Sequence, residues 1–294
     1  MNRILVTGAT GTTGQFIFDT LSQRNDLDVK GASRQGHPYG HTPLVHFDYN
    51  DRSSIQAALD GVDKVFLITP FTAHMMEMES RVIEEIGRSR CVKHVVKLSI
   101  AGAEAEQPTA LAKVHRQLEQ ELEQTGKAIT VLRAQSYMQN YARFMGVNIK
   151  AHSAFYLPLG VARVSLVDVR DVADVAVKVL TEEGHEGNAY TLTGPQALSN
   201  YEIAHILTAV LERRINYVVV SESQTLAGMR VAGTPEWIRD AMLELYRYQK
   251  NEQARFLTNH IEWITGNSPR SFEQFAHDYK EAFVKETTQL KMTA

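Results

Sequence analysis

The chain predicts an α/β fold: a doubly wound parallel sheet with a smaller C-terminal α/β lobe. Three observations carry that reading. A short apolar strand, Ile4–Thr7, runs straight into a turn with glycines at 8, 11 and 14, and a helical pattern (Phe16, Ile17, Leu21) begins at once. Through the first half, β-branched runs alternate with helical patterns. Parallel strands buried by helices on both faces read this way, and right-handed crossovers make such a sheet doubly wound. The chain has 294 residues, 44% of them hydrophobic, enough for two domains or one large α/β unit with additions. Strand, glycine turn and helix in this order open a Rossmann-type dinucleotide-binding unit.

The elements follow in order. A helix over Gln15–Arg24 leads to a second strand, Asp28–Ser33, and a short third, Val45–Phe47; Ser53–Leu59 is helical. Lys64–Thr69 is a buried strand ended by Pro70, Glu77–Ser89 a helix and His94–Ser99 a strand. Leu111, Val114, Leu118 and Leu122 recur at helical spacing before a strand over Ile129–Arg133. Val164–Val167 reads as a strand, Asp171–Leu180 as a helix, and Tyr190–Thr193 as a strand closed by Gly194-Pro195. Tyr201–Arg213 is an amphipathic helix and Asn216–Val220 a strand. Thr234 and Pro235 predict the N-cap and first residue of a helix carrying Trp237, Ile238, Met242, Leu243 and Leu245. Ser271–Gln274 fits a capping box before a last helix with Phe275, Tyr279 and Phe283. The expected division is 1–150 as the dinucleotide-binding domain, with 163–193 returning to it, 194–285 as the smaller substrate-binding lobe, and 286–294 as a flexible tail.

The bulk numbers exclude several classes. A net charge of −3 with scattered basic residues argues against a nucleic-acid surface, and no apolar run is long enough to cross a membrane. Cys91 is the only cysteine, which fits a reducing cytoplasm; beside the apolar run Val92–Leu98 it reads as a small partly buried hydrophobe. The 11 histidines are dispersed without zinc spacing, so no metal is expected. No Gly-x-Ser-x-Gly occurs, which leaves nucleophile-elbow hydrolysis without support. The chain enters its first strand at once, with no signal peptide ahead of it.

The glycine loop assigns the cofactor site. Gly8 permits a tight turn out of the strand, Gly11 lets the backbone approach a pyrophosphate, and Gly14 lets the helix pack close. Thr10, Thr12 and Thr13 stand among them at the helix N-terminus, which favours anions. At the end of strand two, where an NAD-specific fold places Asp or Glu, stands Ser33-Arg34. A hydroxyl and a guanidinium welcome a 2′-phosphate, so NADP(H) is preferred over NAD(H). Asp48 is a candidate acceptor for the adenine amino group, with Phe47 or Tyr49 lining the ring; a capping role for the nearby polar residues is an equal alternative. Thr69, Pro70 and Phe71 close strand four and Ser99 closes the next, and carboxyl ends of strands line the ligand crevice.

Four stretches carry a family resemblance: Thr7–Gly14, Leu98-Ser99, Leu132-Arg133 and Val167–Ala173. Together they resemble the atypical short-chain dehydrogenase/reductases. Leu111–Glu119, Val179–Glu186 and Tyr190–Pro195 narrow this to the NmrA-like branch, the group of triphenylmethane reductase and quinone oxidoreductase 2. The resemblance runs from residue 2 to about 285. It implies an NADP-dependent reductase with a Rossmann domain and a small substrate lobe. Most of the wider superfamily carries Tyr-x-x-x-Lys on the helix after the serine strand; this chain puts Leu111 and His115 there. Leucine donates no proton, whereas His115 can bond a ribose hydroxyl or act as a general acid. Arg133–Tyr141 matches the family's substrate-facing stretch. Tyr137, Asn140 and Tyr141 are candidates for a replacement proton donor or substrate clamp, and Gln135 lies in the same stretch. Phe144, Met145, Phe155 and Tyr156 are candidates for an aromatic wall, or equally for ordinary core.

The expected catalytic set is therefore Ser99, His115 and Tyr137. The expected substrate set is Phe71, Gln135, Tyr137, Asn140, Tyr141 and Phe155. The expected activity is hydride transfer from NADPH to a small conjugated acceptor (quinone, imine, enone or dye), in a cytoplasmic monomer or homodimer. Such acceptors need little acid from the protein. Two other functions are compatible with the altered Tyr/Lys pair: a dinucleotide-binding redox sensor without turnover, and a biosynthetic ene- or imine-reductase.

Overall fold

A computed structural model describes residues 2–36 and 43–284; the tail expected at 286–294 lies outside them. In chain order the elements are β1 (Asn2–Val6), α1 (Gly14–Ser22), β2 (Leu27–Ser33), β3 (Leu44–His46), α2 (Arg52–Leu59), β4 (Lys64–Leu67), α3 (Met75–Arg88), β5 (His94–Ile100), α4 (Ala110–Glu123) and β6 (Ala128–Ala134). A π-helical turn (Tyr141–Met145) precedes α5 (Gly146–His152), β7 (Ala154–Leu157), β8 (Arg163–Val164), α6 (Val169–Thr181), β9 (Ala189–Leu192), β10 (Leu198–Ser199) and α7 (Asn200–Leu211). The chain continues through β11 (Asn216–Val219), α8 (Glu222–Val231), α9 (Glu236–Lys250), α10 (His260–Thr265) and α11 (Phe272–Asp278).

The chain divides into two compact units. The first comprises Met1–Gln135, Val169–Thr193 and Leu257–Pro269. Its seven-stranded sheet has the order β3-β2-β1-β4-β5-β6-β9, and every pairing is parallel. The order reverses between β1 and β4, which opens a crevice at the carboxyl ends of these strands. Leu5, Val65, Leu67 and Val95 build one core with Val82 and Ile86 of α3 and Leu118 and Leu122 of α4. The alternating runs predicted this sheet because strands buried on both faces hold few polar residues.

The second unit comprises Ser136–Asp168, Gly194–Phe256 and the chain from Arg270. It has its own core, in which Phe155, Tyr217, Leu207, Phe272 and Phe275 are buried. Two small sheets belong to it: β7 beside β11, parallel, and β8 beside β10, antiparallel. Helix α7 starts at a capping box in which Ser199 and Glu202 bond each other's backbone. Ser271 caps α11 by accepting the Gln274 N–H (3.1 Å).

Several expectations shift. The first unit ends at Gln135, not 150, and 163–168 lies in the second unit. Of the strand expected over 164–167, only Val164 pairs with β10, together with Arg163 before it, while Val167 makes a lone bridge to Tyr137. Pro235 itself sits at the N-cap of α9 and no side chain caps it. Residues 257–269 return to the first unit for a physical reason. Strand β9 is the sheet's edge, and edges need cover. Thr258 Oγ1 and His260 Nδ1 both donate to the Thr191 carbonyl (2.6 and 2.9 Å), and α10 packs on β9 and α6.

Candidate cofactor site

The turn after β1 is shaped by its glycines. Gly8 adopts φ +60°, a conformation that side chains disfavour. A Cβ on Gly14 would lie 2.2 Å from the Gly8 carbonyl oxygen, and one on Gly11 3.2 Å from it. The helix thus starts in van der Waals contact with the turn; only glycine fits at 14, and at 11 a side chain would crowd the same oxygen. Thr13, the N-cap of α1, makes no side-chain cap bond, and the first turn carries no acidic residue. A helix start of this kind favours an anion. Thr10, Gly11 and Thr12 are exposed along the turn, whereas Thr13 is buried.

At the end of β2, Ser33 is half-buried and its Oγ accepts the Gly36 N–H (3.1 Å); Arg34 is exposed. No carboxylate ends the strand. The adenine-side expectation needs correction. Phe47 and Tyr49 are buried edge-to-face at 5.0 Å, and the Tyr49 hydroxyl donates to the Ile68 carbonyl (2.5 Å). They pack the sheet beneath the crevice and cannot line a ring. Asp48 is half-buried, and its carboxylate accepts the Asn50 N–H (2.9 Å), the local capping alternative. Thr7, whose hydroxyl meets the carbonyls of Phe66 and Ile68 and the Ile68 N–H, ties β1 to the end of β4.

Beyond the switch point, Pro70 and Phe71 are exposed, Phe71 by 46%. Thr69 Oγ1 and His115 Nδ1 are buried polar atoms with no partner. Such atoms are rare in native interiors and mark places where a ligand or water completes the bonding. Burial, and then the charge of Lys97, hold His115 well below the usual imidazole range; it is neutral near pH 7 and a poor general acid.

Ser99 is placed differently from its expected role of orienting a substrate oxygen. It is 1% exposed, and its hydroxyl donates to Glu119 Oε1 (2.6 Å). Glu119 is fully buried on α4. It also accepts Arg133 Nε and Nη2 (3.1 and 2.7 Å) and Arg116 Nη1 (2.9 Å). Burial alone would raise its pKa, but these partners hold it below the carboxylate range. Ser99 is thus part of an ionic clamp between β5, β6 and α4.

Lys97 and Glu79, two residues sequence reasoning passed over, form a second buried ion pair, between β5 and α3. A signal was present: a lysine inside the apolar run His94–Ser99. Nothing local named its partner.

In the second unit, two substrate candidates are core residues. Tyr141 is buried, its hydroxyl donating to Asn200 Oδ1 (2.7 Å), and burial raises its pKa. Phe155 is fully buried, stacked on Tyr217 at 5.4 Å and edge-on to Tyr141 at 5.8 Å. Both stabilise this unit's core and are inaccessible to a substrate. Tyr137 is half-buried and Asn140 exposed; Phe144 and Tyr156 are exposed. Gln135, buried at the end of β6 in the first unit, donates its N–H to the Leu192 carbonyl (3.0 Å). Among the described residues, no cluster of His, Cys, Asp or Glu could hold a metal, and no helix is long and apolar enough to cross a membrane.

The sheet order and the glycine turn define a Rossmann-type nucleotide-binding protein. The chain belongs to the NmrA-like family, whose model matches residues 1–281. It is 34% identical to the NAD(P)H azoreductase of Xenophilus azovorans, covering 95% of this chain and 99% of that one. It is 26% identical to quinone oxidoreductase 2 of Escherichia coli K12, covering 82% and 86%. Among solved structures it resembles the triphenylmethane reductase of Citrobacter sp. complexed with NADP(H), with a TM-score of 0.81, 25% identity and coverage of 96% and 100%.

Proposed function

We propose that this protein is an NADPH-dependent reductase passing hydride to a small conjugated organic acceptor: a quinone, imine, azo compound or triphenylmethane-type dye. One observation carries the reading. A dinucleotide loop of demanding geometry stands in the same unit as a helix α4 that offers no proton donor: Leu111 occupies the tyrosine place and His115 is neutral. Bound NADPH supplies the hydride; acceptors that delocalise charge take it without a strong protein acid, and solvent protonates them later. The relatives' names support the same class of acceptor.

The turn Gly8–Gly14 would hold the pyrophosphate, and Ser33 and Arg34 the 2′-phosphate. Thr69 Oγ1 and the His115 imidazole would meet the nicotinamide half, which fits their buried, partnerless polar atoms. Tyr137 remains our candidate donor at a substrate heteroatom, and Asn140 and Phe71 our candidate substrate contacts. We assign the protein to the cytoplasm, on its single cysteine, as a monomer or homodimer.

The test is NADPH consumption, followed by its absorbance, across quinones, imines, azo compounds and triphenylmethane dyes. Turnover of at least one class is expected. Tight binding of both NADP and NADPH without consumption would replace the reductase reading with a redox sensor.

A further inference from the structure

Strands β2 and β3 end side by side. Their register pairs Gly31 with Leu44, Ala32 with Val45 and Ser33 with His46. Paired residues of neighbouring strands project from the same face, and successive residues alternate. What lies on each face fixes which is which. Ala32 and Val45 pack into the core that holds Ile55 and Leu59 of α2 and Val82 of α3. Gly31 and Leu44 lie under α1: a Cβ on Gly31 would come 2.6 Å from Leu44 Cδ2 and 2.7 Å from Phe18 Cε2. Ser33 and His46 therefore stand on the α1 face, one step beyond Phe18 toward the carboxyl edge. On that face α1 starts from the glycine turn. Leu44 is buried, whereas His46 is exposed.

The turn after β2 lies against His46. Ser33 Oγ accepts the Gly36 N–H (3.1 Å), and the Ser33 carbonyl accepts the N–H of Phe47 (2.9 Å). Gly36, at φ +62°, folds the turn back, and a Cβ built on it would lie 3.6 Å from both Cα and Cβ of His46. Arg34 rides on this turn. The carboxylates nearby are engaged. Asp48 accepts the Asn50 N–H (2.9 Å). Asp51 accepts the hydroxyl and N–H of Ser53 (2.6 and 2.9 Å); those bonds, with a smaller contribution from His46, hold it below the usual carboxylate range.

We propose that His46 is a third ligand of the 2′-phosphate, facing it from β3 while Ser33 and Arg34 face it from β2, and so a determinant of NADP(H) over NAD(H). This rests on the reading that Ser33 and Arg34 hold that phosphate. A serine hydroxyl that accepts one bond can still donate another. A neutral imidazole donates one N–H, and a phosphate dianion beside it favours the cation, which donates two. NAD(H) carries no group at this place to accept the bond.

The test is calorimetric titration of the whole protein with NADP and, separately, NAD, which reads binding without turnover. His46→Ala is expected to weaken NADP about tenfold, the loss of one bond to a charged group, and to leave NAD unchanged. The ³¹P resonance of the bound 2′-phosphate should move with it. His46→Lys should restore most of the NADP affinity, because a cation returns to the same place. An equal loss for both cofactors, no loss for either, or a loss that lysine does not restore overturns the proposal and leaves His46 a support for the turn or a partner of Asp51. Arg34→Ser separates the two readings. If the NADP-to-NAD ratio responds to Arg34 and not to His46, only the present proposal fails; if it responds to neither, the assignment of the 2′-phosphate to this strand end fails as well.

Discussion

Arg34, exposed one position past β2, is where a single side chain is expected to choose the cofactor. Arg34→Asp exchanges a charge-assisted contact for repulsion, a difference of about 1.5–3 kcal/mol for such bonds. The KM for NADPH should rise by about tenfold or more while that for NADH changes little; equal losses would refute the selectivity argument. Gly14→Ala places a methyl 2.2 Å from a backbone oxygen. Overpacking of this kind costs on the order of 1–3 kcal/mol, read by urea unfolding, and NADPH affinity should fall with it. Glycines were legible in the sequence because their spacing states a backbone need. Tyr49, Tyr141 and Phe155 were not, because an aromatic in a core and an aromatic in a pocket wall are the same residue type. Burial separates them, and burial is set by neighbours far away in sequence: Ile68 for Tyr49, Asn200 for Tyr141, Tyr217 for Phe155.

At the scale of elements, α4 is fixed to the sheet by charge as well as by Leu118 and Leu122. Arg133→Met leaves Glu119 buried with fewer donors, and breaking one side of a buried pair costs about 3–5 kcal/mol. A drop of that size in urea-derived stability is expected, with Glu119→Gln, which keeps length and one acceptor, milder. The central strands β1, β4, β5 and β6 of the main sheet were readable from composition, since each is largely a compact apolar run. Strand β7 was not, because Ala154–Leu157 is short and its aromatic pair suggested a wall; its pairing with β11 lies some sixty residues on. The return of 257–269 was equally hidden, because short α10 has no long period to detect.

At the scale of the whole molecule, acid should be destabilising in a defined window. His94, the buried first residue of β5, is pushed down to about 4 by burial and then by Lys64, with Glu186 opposing. An unfolded imidazole titrates near 6.5, so between pH 6.5 and 4 the unfolded chain binds a proton that the native one refuses. Stability therefore falls as pH falls through that window, by up to about 3 kcal/mol from this group. His115 acts in the same direction. Glu119, held low, adds stability above the carboxylate range that is lost as pH drops through its lowered value. Urea titrations at several pH values should show this slope, and His94→Gln should flatten it; an unchanged slope would exclude His94 as its source.

The discontinuous first unit also bears on the order of synthesis. Its last segment, 257–269, leaves the ribosome after most of the second unit has been made. Until then β9 is a finished strand with a bare margin, awaiting Thr258 and His260. A nascent chain stalled before residue 257 should therefore be captured by holdase chaperones, and the full-length chain should not.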